Sequence, residues 1–383
     1  RLLPASLICS VLGTARVGVH PKLDRNVQTL GEQALYPMRY TERAMSILPV
    51  GKLRAETLQG FFDKYARRDE RVVVGPKVGE DAAVIDMGDR YLIATTDPIT
   101  FATDEIGWYV LQVNANDVAV RGARPRWFLA TLLLPEHRSS DDVVERLFAE
   151  IGRACEELEV SLIGGHTEVT HGLDRAIVVG TMLGEVEKDK LVTTGGAKVG
   201  DAVLLTKGVP LEGSAIIARE RGAELIGRGV PSSVVERARA YLHRPGLSVV
   251  PEAMLAVDLA PIHSMHDPTE GGLATALWEL AAASGAGLRV ERERIAILPE
   301  GDRLCREFGL DPLGTIASGA LLIVLAPSDA ARVVQACEGM GIRCAVVGEV
   351  VPEERGVALV EGGRERPMPI FPQDEITKLF KGP

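Results

Sequence analysis

Acidic residues set beside glycine and threonine recur at four turns in the first half of this 383-residue chain: Gly79-Glu80-Asp81-Ala82-Ala83, Thr95-Thr96-Asp97, Asn114-Ala115-Asn116-Asp117 and Gly164-Gly165-His166-Thr167-Glu168. Mg2+ takes hard oxygen ligands and keeps several of its waters, so acids at element ends are what holds it against a polyphosphate. One such acid alone reads as a solvated turn residue. Four together favour a metal and phosphate site. Further on, His266-Asp267-Pro268-Thr269-Glu270 gathers a histidine, two acids and a threonine. Its competing reading is that Asp267 and Thr269 only cap the helix that follows. Lys207 closes a short strand at 201–207 and precedes a glycine-bearing loop that feeds a helix. A lysine there suits a phosphate at a helix N-terminus, and an exposed, unengaged lysine is the alternative.

These residues need elements to carry them. Leu53, Leu58, Phe61, Phe62 and Tyr65 share one side of a helix over 52–66, and strands are expected at 71–74, 84–87 and 91–95. The helix over 104–120 is the most informative, because Ile106, Val110, Val113, Asp117 and Val120 place Asp117 on its apolar stripe. A buried carboxylate requires a partner: either a salt bridge to Arg121 or Arg124, or a metal or nucleotide ligand role. The apolar run 127–134 is a strand buried on both faces. A helix opens at Ser139, strands follow at 161–163 and 175–184, and a loop at 165–172 joins them. This β-α-β-α-β rhythm indicates an α/β fold, here with α+β mixture. The apolar rhythm breaks over 185–200, which divides 45–186 from a second domain at 187–352, with 353–383 as a C-terminal extension.

The length suits two domains, and 46% hydrophobic with 25% charged residues describes a globular chain. A net charge of −10 argues against nucleic acid or an anionic membrane as the main partner. The five cysteines form no CxxC pair and suggest reduced thiols in the cytoplasm. No apolar run reaches membrane-spanning length. Residues 1–44 carry no sustained period and are read as a disordered leader or a non-native extension.

Taken together, Gly79 to Ala83, Thr95-Thr96-Asp97, Asn116-Asp117 with Gly122-Ala123-Arg124-Pro125, Gly164 to Thr167, His266 to Gly272 and Ala317-Ser318-Gly319 resemble the aminoimidazole ribonucleotide (AIR) synthase superfamily in its own motif order. The resemblance covers about 48–351 and is nearest to the hydrogenase maturation protein HypE and the AIR synthase-related proteins. It implies a two-domain fold whose N-terminal sheets pair into a barrel across a homodimer, with ATP and Mg2+ beside the N-terminal domain. It implies Asp81, Asp97 and Asp117 as metal and phosphate acids, with Gly164 and Gly165 lining the nucleotide. Thr96, Asn116, His166, Thr167 and Lys207 join the cofactor-binding set, and His266, Asp267 and Glu270 join Asp97 and Asp117 as catalytic candidates. The shared chemistry is γ-phosphoryl transfer to a carbonyl, amide or thiocarboxamide oxygen of a small or protein-bound substrate. The chain departs from HypE in having no cysteine after Cys344 and in Ser318 standing where HypE tends to have glutamate. Both departures argue against self-modification. Two alternatives remain open: a hydrogenase maturation factor acting on a partner protein, and a dimeric nucleotide-binding module without turnover.

Overall fold

Alternating and continuous apolar stretches in the first half become the strands of one sheet. The computed structural model describes residues 48, 53, 55–77, 79–99 and 104–380; the leader expected over 1–44 lies outside them. After helix α1 (Ala55–Tyr65) come β1 (Val72–Val74), β2 (Ala83–Asp86), β3 (Arg90–Ile99), α2 (Ile106–Ala119), β4 (Arg124–Pro135), α3 (Asp141–Glu157), β5 (Ser161–Thr170) and β6 (Ile177–Glu187). The strands lie in the order β1-β2-β3-β6-β4-β5, antiparallel except for the β4–β5 pair. Only β4-α3-β5 is a parallel crossover between neighbours, because β6 inserts between the strands that α2 connects. The α/β rhythm of the sequence thus becomes a mixed sheet. Neither this sheet nor the second closes into a barrel among the described residues.

Leu111, Ala115 and Val118 of α2 and Leu147, Ile151 and Ala154 of α3 pack on Ile93, Phe128, Leu132, Val178 and Met182 of the sheet. The stripe expected on α2 is too narrow a description: every residue of this helix is buried. The second half of the chain covers the side that the first sheet does not.

That half comprises β7 (Ala202–Thr206), α4 (Leu211–Glu220), α5 (Gly222–Gly227), α6 (Ser232–Arg239), α7 (Val250–Leu259), β8 (Ile262–His266), α8 (Gly272–Ser284), β9 (Gly287–Glu291), α9 (Pro299–Phe308), β10 (Leu322–Leu325), α10 (Pro327–Gly339), β11 (Cys344–Val351), β12 (Val357–Glu361) and β13 (Arg364–Pro367). The sheet order is β13-β12-β9-β11-β7-β10-β8, with only β9–β12 parallel. Both faces are covered. Leu205, Leu322 and Val324 point toward Leu273, Leu277 and Leu280 of α8, while Leu204, Ile323 and Leu325 point toward Ala253 and Ala256 of α7 and Val333 of α10. Continuous apolar strands are the signature of such two-sided burial. Residues past 352 are not an appendage, since β12 and β13 extend the second sheet and Ile376 and Leu379 pack with Leu225 and Leu304.

Gly180 of β6 lies under α2, where a Cβ would stand 2.4 Å from Asn114 Nδ2 and 2.8 Å from Phe128 Cε2. Overpacking at such a point costs about 1–3 kcal/mol. Gly180→Ala is therefore expected to lower the melting temperature. Gly152→Ala, in open space on α3, is expected to leave it unchanged or raise it. Equal melting of both variants would contradict this packing.

Candidate active site

Four aspartates converge where the two halves meet. Asp81 precedes β2, Asp97 lies near the end of β3, Asp117 belongs to α2, and Asp267 follows β8. Thr95 and Asp97 share a face of β3, because strand side chains alternate. The Thr95 hydroxyl stands 2.8 Å from Asp117 Oδ2 and 2.9 Å from the Asp81 carbonyl oxygen. The Asp97 backbone is held by Asn114, whose Oδ1 accepts from the Asp97 N–H at 2.9 Å. Oxygen or nitrogen atoms of Asp81, His266 and Asp267 lie within 4.8 Å of one another, a spacing suited to a metal ion.

Two cations balance part of this charge. Arg121 is fully buried and pairs with Glu80 at 2.7 Å and Asp81 at 2.9 Å, while also donating to the Thr194 hydroxyl at 2.9 Å. His266 contacts Asp81 Oδ2 through Nδ1 and Glu279 Oε2 through Nε2, both at 2.9 Å. Burial alone disfavours the imidazolium, but Asp81 and Glu279 outweigh it and raise the pKa well above the ordinary histidine value. With both ring nitrogens engaged, His266 bears on the site through Asp81.

The other acids are left with charge to be met. Burial pushes the Asp117 carboxyl well above the usual carboxylate range, and Asp97, Asp267 and Asp81 push it further. Burial, then Asp81, raises Asp267 to about 7. Neither Asp267 carboxylate oxygen has a hydrogen-bond partner outside its own residue among those described. Buried, mutually repelling carboxylates without a cation in contact are the donor set a hard divalent cation requires.

The salt bridge considered for Asp117 does not form, since Arg121 turns to Glu80 and Asp81, and Arg124 reaches Asp258 at 3.5 Å. Thr96 is exposed on the face of β3 opposite Thr95 and bonds to the Gly180 carbonyl at 2.7 Å. Residues 164–167 are not a loop. They belong to β5, the exposed edge strand, separated from β3 by β6 and β4, and within one chain they stand apart from the aspartates. His166 there faces Glu168 at 3.1 Å. Asn116 clasps the 247–249 backbone, donating to the Leu247 carbonyl at 2.9 Å and accepting from Val249 N–H at 2.8 Å. Lys207 is buried, its ammonium held by Glu252 at 2.9 Å and by the Gly246 and Ser248 carbonyls; its donors are spent on protein. Glu270 is partly buried in the turn after Asp267, beside the field of Glu212 and Asp374.

Sequence reasoning missed Glu80 and Arg121 as an ion pair, Asn114 as the clamp on Asp97, Glu279 as the partner of His266, and Glu212. The buried Glu212 is raised to about 7 by burial. Only the predominantly apolar content of α2, with the few polar residues Gln112, Asn114, Asn116 and Asp117 set in it, hints at any of these roles in advance.

Residues 79–186 match the AIR synthase related protein N-terminal domain, and residues 198–361 match the corresponding C-terminal domain. A protein named carbamoyl dehydratase HypE, from Cupriavidus necator, is 31% identical over 287 residues, covering 72% of this chain and 78% of that protein. A putative hydrogenase expression/formation protein of Methanocaldococcus jannaschii is 29% identical over 306 residues, covering 78% and 88%. The crystal structure of the hydrogenase maturation protein HypE in complex with ATP superposes with a TM-score of 0.63 at 24% identity, covering 83% of this chain and 91% of that one.

Asp267 and Glu212, each raised to about 7, bind a proton more tightly folded than unfolded, where such groups titrate near about 4. Stability of the metal-free protein is therefore expected to fall as pH rises from about 4 to 7, and the raised Asp117 and His266 continue the fall above that. Thermal melts at pH 5.5 and 8.0 check this, with Mg2+ raising the melting temperature more at pH 8.0; a rise in metal-free stability across the interval would refute it. Lys207→Met strands Glu252, and a loss of about 3–5 kcal/mol in urea unfolding is expected.

Proposed function

This chain belongs to the AIR synthase related family, and from that premise we propose that it is an ATP- and Mg2+-dependent enzyme. It transfers the γ-phosphoryl group of ATP to the oxygen of a carbamoyl, carboxamide or thiocarboxamide acceptor. The observation that carries the reading is the meeting of Asp81 and Asp267 at metal-binding spacing, with Asp97 and Asp117 close enough to act on them electrostatically and neither Asp267 oxygen hydrogen-bonded to another described residue. Those aspartates would hold Mg2+, which when bound supplies positive charge against the β- and γ-phosphoryl oxygens.

Phosphoryl transfer asks a protein mainly for position and charge neutralisation. Arg121 and His266 both contact Asp81 Oδ2. Asn114 fixes the backbone of Asp97, and the Thr95 hydroxyl orients Asp117. The acids are thus set before substrate arrives, and little reorganisation is left for the transfer itself. The carbamoyl acceptor is supported by the relative named carbamoyl dehydratase HypE. A hydrogenase maturation role, with the acceptor borne on a partner protein, is supported by the Methanocaldococcus relative's name.

A homodimer through the first sheet is part of the proposal. β5 is an edge strand exposed along nearly its whole length, with Leu162 at 42%, Ile163 at 52% and Val169 at 60% exposure, and bare apolar edges invite pairing. Pairing through this edge is the route by which residues 164–167 would join a nucleotide site. The buried, unpaired thiols of Cys155, Cys305, Cys337 and Cys344 support a reducing cytoplasmic setting.

Isothermal titration with a non-hydrolysable ATP analogue is expected to show Mg2+-dependent binding. Asp97→Asn and Asp117→Asn are each expected to cut ADP formation by on the order of 100-fold. Binding without turnover in the wild type would leave the non-catalytic module as the correct reading. Unchanged turnover in both variants would remove the metal assignment.

A further inference from the structure

The second sheet presents one edge that the four aspartates do not fill. Leu322 of β10 pairs with Leu205 on β7 and with His266 on β8. That register brings the chain after β7, the chain after β8 and the turn before β10 to the same edge. The first leads to Glu212 in the opening turn of α4, the second is Asp267 to Glu270, and the third contains Ser318. Glu212 is tied in place by its neighbour, since the Gly213 N–H donates to the Ile316 carbonyl at 2.8 Å.

Glu212 is only 5% exposed. Tyr109 of α2 donates its hydroxyl to Oε1, and the Ser318 hydroxyl stands beside the carboxyl and favours its anion. Oε2 has no hydrogen-bond partner among the described residues. Among charged groups, the acids Asp374 and Glu270 bear on it most strongly. Two other buried carboxylates are each met by a cation, Glu80 by Arg121 and Glu252 by Lys207. Glu212 has two hydroxyls instead, which orient a carboxyl without neutralising it. An unmatched buried oxygen is costly, and packing alone does not account for it.

Resting on the phosphoryl-transfer reading above, we propose that Glu212 is a catalytic residue on the acceptor side of the site, its free oxygen accepting the acceptor's N–H. For an acceptor R–CO–NH2, the carbonyl oxygen attacks the γ-phosphorus and the bond from phosphorus to the ADP oxygen breaks. One N–H proton passes to the Glu212 carboxylate. The products are R–C(=NH)–O–PO3(2−), ADP and the neutral Glu212 carboxyl, which returns its proton to solvent. Tyr109 and Ser318 are positioning residues that keep Oε2 directed at the acceptor. Glu212 thereby selects acceptors that carry an N–H beside the reacting oxygen.

The test uses the full chain with MgATP and, as acceptor probes, methyl carbamate and S-methyl thiocarbamate, with ADP formation followed over a range of probe concentrations. Glu212→Gln keeps a partner for Tyr109 and is expected to retain the wild-type melting temperature and affinity for a non-hydrolysable ATP analogue. Its probe-dependent kcat is expected to fall by on the order of 100-fold, with Glu212→Asp recovering part of the loss. Should Glu212→Gln not fold, Tyr109→Phe is read in the same way, with a smaller fall in kcat and unchanged analogue affinity. A variant that turns over the probes at the wild-type rate overturns the assignment, as does one that loses analogue affinity in step with rate. A wild-type protein that binds MgATP but forms no additional ADP with either probe overturns the acceptor reading, and Glu212's role with it.

Discussion

A guanidinium with no exposure to water holds this site together. Arg121 sits at the C-terminal end of α2, where it meets Glu80 and Asp81 from the first sheet and Thr194 from the segment leading to the second. A charge so deeply buried is stable only when paired and hydrogen-bonded. The turn before β2, the end of α2 and the 194–196 turn are therefore mutually dependent. Asp81 is in turn the contact for His266, which carries the same dependence to the end of β8 and to Asp267.

Helix α2 is the physical link between the halves. It presents Tyr109, Asn114, Asn116 and Asp117 from one buried rod, with Arg121 just past its C-terminal end, and together they meet several segments of the fold. Asn114 holds the end of β3, Asn116 grips 247–249, and Arg121 closes on the acids. The 247–249 segment is itself anchored by the Lys207–Glu252 pair. Asp117 is held by Thr95 of the first sheet, and its neighbour Asn116 by the 247–249 backbone, so its separation from Asp97 and Asp267 is set by packing. Backbone-directed asparagines and buried ion pairs make that separation stiff, as a site that works by pre-placed charge requires.

The buried carboxylates divide by what balances them. Glu80 and Glu252 have a cation in contact, and they serve the architecture. Asp117, Asp267 and Glu212 are raised by burial and lack a sufficient partner. Carboxyls left in that state, gathered in one region, mark where substrate and metal complete the charge balance.

Much of this was legible in the residues themselves. Apolar periodicity located α2, α3, β3, β4 and, in the second half, β7, because burial of one face or two imposes its period directly on the chain; β8, β9, β12 and β13 were not anticipated. The acids at 80–81, 97, 117 and 267 stood out because carboxylates beside glycine and threonine suggest turns, although Asp97 lies within β3 and Asp117 within the buried helix α2. The GGHT run misled, since glycines read as a loop are here edge-strand residues of β5. Lys207 misled because a lysine at a strand end is usually solvated, whereas this one is enclosed by Glu252 and two carbonyls. What the sequence determined alone was the kinds of element and the places where acids interrupt them, both local properties of side-chain pattern. Which acid meets which cation was decided only by tertiary structure. Arg121 lies 40 residues from Asp81, and His266 lies 185 from it. Electrostatic pairing depends on distance in space and on the loss of water, and neither is written in the order of the residues.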